Sequence, residues 1–413
     1  MERKHLVDKR ASLLMFALVF MLYSIVYMTK NCFSAAMAAI VNAGIMTKSQ
    51  TGLISAAFYV VYAPLQILGG FAADKYSPKK LILFGTFGAC VANLLIYFFA
   101  ESYVAMIIIW SLNAAAQFGV WPSVFKIVSS ELKPTHSPLA IFYIGLASIT
   151  GLLLSYVFAI FISDWKNNFL LSSIVLFAIG TVFLFSYNKM EKSMVTETIT
   201  TQAAKKSPVK EKKNGDFIRL FIKSGVPLML VVYMIHTMLN LGIKAVAPVM
   251  LMESYENISP ALANALNIIL VVSGAMGIFV ASIKAFRRIS PPLIVFAFLI
   301  LTVPLLFVVT MVGDVNIAFV VISMAATMLL LSSSSTYFSQ ISKTFAEYGY
   351  VGTMSGIFNS IASLGIVLSN FLFTRLSENY GWDFTTKFWL YIMAAATALC
   401  LFANPIWKRF VKK

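Results

Sequence analysis

Twelve separate stretches of this chain are apolar enough, for long enough, to cross a lipid bilayer as helices, and that pattern excludes most folds. A hydrocarbon core about 30 Å thick needs about 20 apolar residues of helix. Inside it only helices and closed barrels satisfy their own backbone groups. The stretches cover approximately residues 11–42, 50–73, 80–100, 103–130, 137–162, 167–187, 217–253, 260–283, 291–313, 315–341, 349–376 and 383–407. With 60% hydrophobic and 12% charged residues, the outer faces of these helices suit lipid rather than water. The expected class is an all-α membrane protein. No small-residue cleavage site interrupts the first stretch, so it is expected to remain as a helix of the protein.

The charges lie between the stretches. Residues 188–216 form the one long polar segment, with Lys189, Lys192, Lys205, Lys206, Lys210, Lys212 and Lys213, and they read as a basic cytoplasmic linker. It separates an N-terminal bundle, 1–187, from a C-terminal bundle, 217–413, each with six spans. Placing the N-terminus inside puts 25 of the 32 basic residues on the inner side and four, Lys48, Lys166, Arg375 and Lys387, on the outer. The positive-inside rule then puts both termini in the cytoplasm and the chain in the cytoplasmic membrane. The net charge of +16 is accounted for by topology and anionic headgroups, with no nucleic-acid partner. Short echoes relate the halves: Tyr76-Ser77-Pro78 after span 2 and Ile289-Ser290-Pro291 after span 8, and Asp164-Trp165 before span 6 and Gly381-Trp382 before span 12. Such pseudo-symmetric halves place a solute site near the midplane.

Three basic residues remain inside spans: Lys30, Lys126 and Lys244. Lys126 is near enough to the inner end of span 4 to reach the interface. Lys30 and Lys244 sit at matching depths in spans 1 and 7, and no acidic residue occupies a span interior. An unpaired ammonium at such depth costs at least about 2.5–3.5 kcal/mol. Two of them predict a cavity that binds a small anionic solute; capping by backbone carbonyls, or deprotonation, is the alternative. Tyr23, Tyr27, Lys30 and Ser34 fall on one stripe of span 1, and His236, Asn240 and Lys244 on one stripe of span 7. Asn113, Gln117 and Trp121 in span 4 and Ser355, Asn359 and Ser363 in span 11 form further stripes, suited either to the solute or to helix–helix hydrogen bonds. The candidate ligands are therefore Lys30, Lys244, Tyr27, Asn113, Gln117, His236, Asn240 and Asn359. Only His236 is titratable at depth besides the lysines, so exchange is favoured over proton coupling. No metal set, nucleophile–base pair or phosphate-cradling loop points to an enzyme or a cofactor, and a monomer in lipid is expected.

Gly70-Phe71-Ala72-Ala73-Asp74-Lys75-Tyr76-Ser77-Pro78-Lys79, between spans 2 and 3, resembles the G-x-x-x-D-R/K-x-x-x-R/K signature of the major facilitator superfamily. The resemblance implies a fold of two six-helix bundles and a gating role for Gly70, Asp74, Lys75 and Lys79, with Gly70 allowing close helix approach. Lys284-Ala285-Phe286-Arg287-Arg288 is a degenerate second copy without the acid. Within the superfamily the chain looks most like the organophosphate:inorganic phosphate antiporters. Span 4 carries Asn113-x-x-x-Gln117-x-x-x-Trp121-Pro122-Ser123-x-x-Lys126, span 1 carries Tyr27-x-x-Lys30-x-x-Phe33-x-x-Ala36-Met37, and span 7 carries Asn240-x-Gly242-Ile243. The departures are Lys30 and Asn240 where that family has its two arginines, and Ser148 where it has a histidine. Lysine is a point charge rather than a bidentate fork, so the resemblance implies alternating-access exchange of a phosphate ester or a related organic anion. A transporter-shaped sensor of a sugar phosphate, binding without turnover, is the alternative.

Overall fold

The structure is a computed structural model, and it describes residues 2–162, 164–198, 217–281, 289–345 and 350–411. Its helices are α1 (Lys9–Asn42), α2 (Lys48–Lys75), α3 (Pro78–Phe99), α4 (Tyr103–Ala116), α5 (Val120–Lys126), α6 (Ser137–Phe161), α7 (Trp165–Glu191), α8 (Phe217–Lys223), α9 (Val226–Ser254), α10 (Pro260–Ala281), α11 (Pro291–Val309), α12 (Ile317–Thr344) and α13 (Val351–Val411). Among the described residues ten helices are long and apolar enough to cross a membrane. One of them, α13, covers two expected spans, because Gly381 breaks it with φ 80° and ψ 175°. That backbone is open to glycine and strained for other residues. With α2, 28 residues long, all twelve expected spans are helical, and the chain is an all-α membrane protein.

Three expectations about boundaries need correction. Span 7 was expected as one helix over 217–253; instead Gly225, at φ 76°, separates the short α8 from α9. Pro227 then falls in the first turn of α9, where its missing N–H costs no hydrogen bond. The linker was expected from 188, but α7 continues to Glu191 and a strand follows. This strand, β2 (Met194–Thr198), lies in the expected linker and pairs antiparallel with β1 (Glu2–Leu6), which precedes the first span. Leu6 explains the docking: it is fully buried in a cluster with Met15, Val19, Ile127, Val128 and Leu132. The Asp8 carboxylate then caps α1 by accepting from the Ala11 amide at 2.7 Å, a hydrogen bond that holds its pKa below the usual carboxylate range.

Span 4 is not a uniform helix. Between α4 and α5 the chain tightens to a 3₁₀ turn over Gln117–Gly119, and after α5 it widens to a π turn over Ile127–Glu131. Pro122 gives a reason for the first departure, since it has no N–H to donate to the Phe118 carbonyl four residues back. That carbonyl faces α2 instead, where a Cβ built on Gly69 would lie 2.2 Å from it. Close approach of backbones at small residues is how helices associate in lipid, where the hydrophobic effect drives nothing. The expectation for Gly70 is therefore corrected: a Cβ there meets nothing within 4 Å, and the glycine that admits the neighbouring helix is Gly69.

Contacts gather the chain into two units, Met1–Ala36 with Ala57–Val209, and Met37–Ala56 with Lys210–Lys413. Residues 37–56, the end of α1 and the start of α2, thus group with the second unit. Lys48 Nζ pairs with Glu253 at 2.8 Å and donates to the Ser377 carbonyl at 3.2 Å, and the Ser49 amide donates to Glu378 at 2.6 Å. Elsewhere Lys166 pairs with Glu101, and Lys387 with Asp383. Lys166, as donor and as charge, holds the Glu101 carboxyl below its ordinary range.

Candidate functional site

In the first unit, α1 carries Lys30 opposite the middle of α2. Its ammonium makes no hydrogen bond or ion pair with any described residue. It lies among aromatic rings: 3.8 Å from the centroid of Tyr62, 5.1 Å from Tyr59, 5.3 Å from Phe58 and 5.5 Å from Tyr27. Tyr62 and Phe58, one turn apart, have centroids 5.5 Å from each other. The cluster continues through Phe58 to Trp110 at 5.5 Å, and on the α1 side through Tyr27 to Tyr23 at 6.0 Å and Trp121 at 4.8 Å. Tyr27, on the lysine's own stripe, borders it, whereas Trp121 of the span 4 motif touches Tyr23 and stands two rings away. Sequence reasoning missed Phe58, Tyr59 and Tyr62. Their signal was an aromatic triplet at i, i+1 and i+4 of span 2, which in a membrane helix reads as ordinary packing.

The electrostatics of this arrangement are unusual. Ring faces carry partial negative charge, and a desolvated cation–π contact is worth about 2 kcal/mol or more. An ammonium held only by rings keeps its three N–H donors. Among the described residues no backbone carbonyl takes its donors and no carboxylate neutralises it.

Lys244 of the second unit is held differently. Its Nζ donates to Asn240 Oδ1 at 2.7 Å. A Cβ built on Gly274 of α10 would lie 3.0 Å from that Nζ and 3.0 Å from Ser332 Oγ of α12, so the absence of a side chain at 274 makes the ammonium's space. The Lys244 carbonyl accepts from Asn267 Nδ2 at 2.9 Å. Lys244 and Asn240 are thus a buried, mutually bonded pair, and the nearby Gly274, Ser332 and Asn267 were not legible in the sequence. His236, one turn before Asn240, contacts the Leu331 carbonyl through Nε2 at 2.7 Å. An acceptor there requires Nε2 to carry the proton, and the ring stacks on Tyr233, 5.8 Å away at 14°. Its geometry ties α9 to α12.

The other expected residues are placed as follows. Gln117 Nε2 donates to Asn113 Oδ1 at 2.7 Å; the two are buried and bonded to each other across one helical turn, and Asn113 Nδ2 has no partner among the described residues. Asn359 is on an exposed face of α13, its carbonyl accepting from Ser363 Oγ at 3.0 Å. Lys126 donates to the Ala73 carbonyl in the last turn of α2. Of the gating set, Lys79 pairs with Glu191 at 2.6 Å and Asn188 at 2.9 Å, and Lys75 is exposed over Tyr76. The Asp74 side chain and the second motif copy, 284–288, lie outside the described residues. An open surface pocket of about 570 Å³ in the second unit has Glu253 and Glu256 in its lining, a poor place for an anion.

Comparison with known proteins agrees with the fold. A bacterial homologue of the human lysosomal transporter Spinster superimposes with a TM-score of 0.76 at 12% identity, covering 98% of this chain and 99% of that one. A peptide transporter, POT, in complex with alafosfalin gives 0.76 at 13% identity, over 96% and 95%. In sequence, the chain is 32% identical to the membrane sensor protein UhpC of Salmonella typhimurium over 95 residues, 23% of this chain and 21% of that protein. It is 33% identical to the probable sulfoacetate transporter SauU of Cupriavidus necator over 103 residues, 25% and 24% of the two. Each of these sequence matches takes in less than a quarter of the relative's length. The model of the Major Facilitator Superfamily matches residues 19–370, and with its twelve helical spans this chain belongs to that superfamily of transporters.

Proposed function

We propose that this protein is an alternating-access carrier of a small organic anion in the cytoplasmic membrane, working by exchange, as a monomer with both termini inside. The observation that carries the reading is Lys30, a membrane-embedded ammonium with no carboxylate and no hydrogen-bond acceptor from the described protein. Its burial costs at least about 2.5–3.5 kcal/mol, and ring contacts return about 2 kcal/mol or somewhat more. A bound anion offsets the remainder.

Lys244 supplies a second positive charge, and Tyr27, Asn240 and the unpaired Asn113 Nδ2 supply polar edges that suit oxygen-rich solutes. The likeness of SauU, a probable sulfoacetate transporter, favours a carboxylate, sulfonate or phosphate of similar size. The six-helix halves, 1–187 and 217–413, alternate access, and exchange follows from charge. Without solute, the buried cations oppose the change of state; with an anion bound they are neutralised, and the change proceeds. The inner motif, Gly70, Asp74, Lys75 and Lys79, serves the gate.

Purified protein in liposomes tests this. Uptake of labelled sulfoacetate, glycerol phosphate or inorganic phosphate should be fast into vesicles preloaded with the same anion and slow into empty ones. Lys30→Gln should abolish it while leaving the protein folded. Retained uptake by Lys30→Gln removes the central role of this residue, and equal uptake into empty vesicles removes exchange. A second reading, a membrane sensor without turnover, is favoured by the likeness to UhpC over residues amounting to 23% of the chain. Anion binding with no flux in the same liposomes would establish it instead.

A further inference from the structure

Lysine is an adaptable ligand with a long flexible stem, so an uncommitted lysine needs something to hold its head group in place. Lys244 shows one solution, a side-chain carbonyl that takes one of its donors. Lys30 shows another. Its Nζ stands 3.8 Å from the Tyr62 centroid, closer than to the other three rings by more than 1 Å. A ring face attracts the charge without requiring a particular N–H direction. The two lysines therefore differ in kind: one is tethered through a donor, the other through its charge alone.

We propose that Tyr62 is the positioning residue of Lys30, holding the ammonium by its π face so that all three N–H donors remain available to the anion. Phe58, Tyr59 and Tyr27 close the sides of the seat. The ring determines where the charge waits and hence how tightly the anion binds; it leaves the rate of the conformational change alone. The inference rests on the anion-carrier reading but is separable from it.

Two measurements test it. Without any solute, the ε-methylene protons of isotopically labelled Lys30, assigned by loss of the signal in Lys30→Gln, should resonate upfield through the ring current of Tyr62, and Tyr62→Leu should return them to the ordinary position. In proteoliposomes, Tyr62→Leu should raise the KM for sulfoacetate or inorganic phosphate about tenfold, or about 1.4 kcal/mol, with little change in maximal rate. Tyr62→Phe, which keeps the ring, should restore most of the affinity. A series of phenylalanines at 62 carrying one, two and three fluorines keeps the shape while emptying the π face, so KM should climb stepwise, and this series decides the matter if Tyr62→Leu does not fold. An ordinary Lys30 resonance in the unaltered protein, or a flat fluorine series, overturns the proposal. So does a Tyr62→Phe as impaired as Tyr62→Leu, which would make the hydroxyl the working group. If Lys30→Gln abolishes uptake and the fluorine series is flat, only the seat is wrong; if Lys30→Gln transports normally, the carrier reading itself fails.

Discussion

Changing Gly69 and Gly70 to alanine, one at a time, should move stability by different amounts although the residues are neighbours on one helix. Both variants gain the intrinsic helix preference of alanine over glycine, about 0.5–1 kcal/mol. That gain cancels when the two are compared. At Gly70 the new methyl meets nothing within 4 Å. At Gly69 it would stand 2.2 Å from the Phe118 oxygen and 3.0 Å from the Phe118 carbon. Backbone on both sides means that no side chain can rotate away, so α2 and span 4 must separate by about 1 Å to restore an ordinary carbon–oxygen contact. Such overpacking costs about 1–3 kcal/mol. Gly70→Ala should therefore unfold at or slightly above the temperature of the unaltered protein, and Gly69→Ala clearly below Gly70→Ala. Unfolding followed by tryptophan fluorescence in one detergent reads the difference. Since α2 also carries Phe58, Tyr59 and Tyr62, Gly69→Ala should in addition weaken anion affinity. Equal unfolding temperatures for the two variants would refute the packing argument, and with it the assignment of Gly69 as the contact between α2 and span 4.

Gly274→Ala should leave the fold nearly as stable, because what the methyl meets is the mobile end of Lys244 and a serine hydroxyl, yet it should displace the ammonium and lower apparent anion affinity in the same liposome assay. Glu253→Ala removes an acceptor shared by Lys48 Nζ at 2.8 Å and Trp382 Nε1 at 2.7 Å; Lys48 keeps the Ser377 carbonyl, and the loss of the acceptor for the indole N–H should cost about 1–3 kcal/mol in thermal unfolding. Lys48→Met, which removes one arm of a partly exposed pair, should cost about 0–1 kcal/mol. The Asp8 cap has its pKa depressed in the folded state, so its stabilisation is present above the unfolded carboxylate value and is lost as pH falls through the folded one. Hydrogen exchange at Ala11 should accelerate on that acidification in the unaltered protein, and Asp8→Asn, which keeps a capping oxygen, should remove the pH dependence.

The spans and the two deep lysines could be read directly from the chain, because lipid makes both decisive: a helix needs about 20 apolar residues to cross, and a buried ammonium stands out by its cost. Helical periodicity also placed Tyr27 and Lys30 on one stripe of span 1. What periodicity cannot supply is the rotation of one helix against the next. Adjacent residues are about 100° apart around a helix, which is why Gly69 rather than Gly70 meets Phe118, and why Asn113 and Gln117 bond to each other across one turn. The ring of Tyr62, 32 positions along the chain from Lys30, came beside it only when α2 packed against α1. An aromatic residue in a membrane helix looks the same in sequence whether it faces lipid, packing or a cation. The sequence by itself therefore determined that positive charge had to be buried, since that follows from composition and length. Which groups hold the charge is decided by packing between distant segments, and only the tertiary structure contains it.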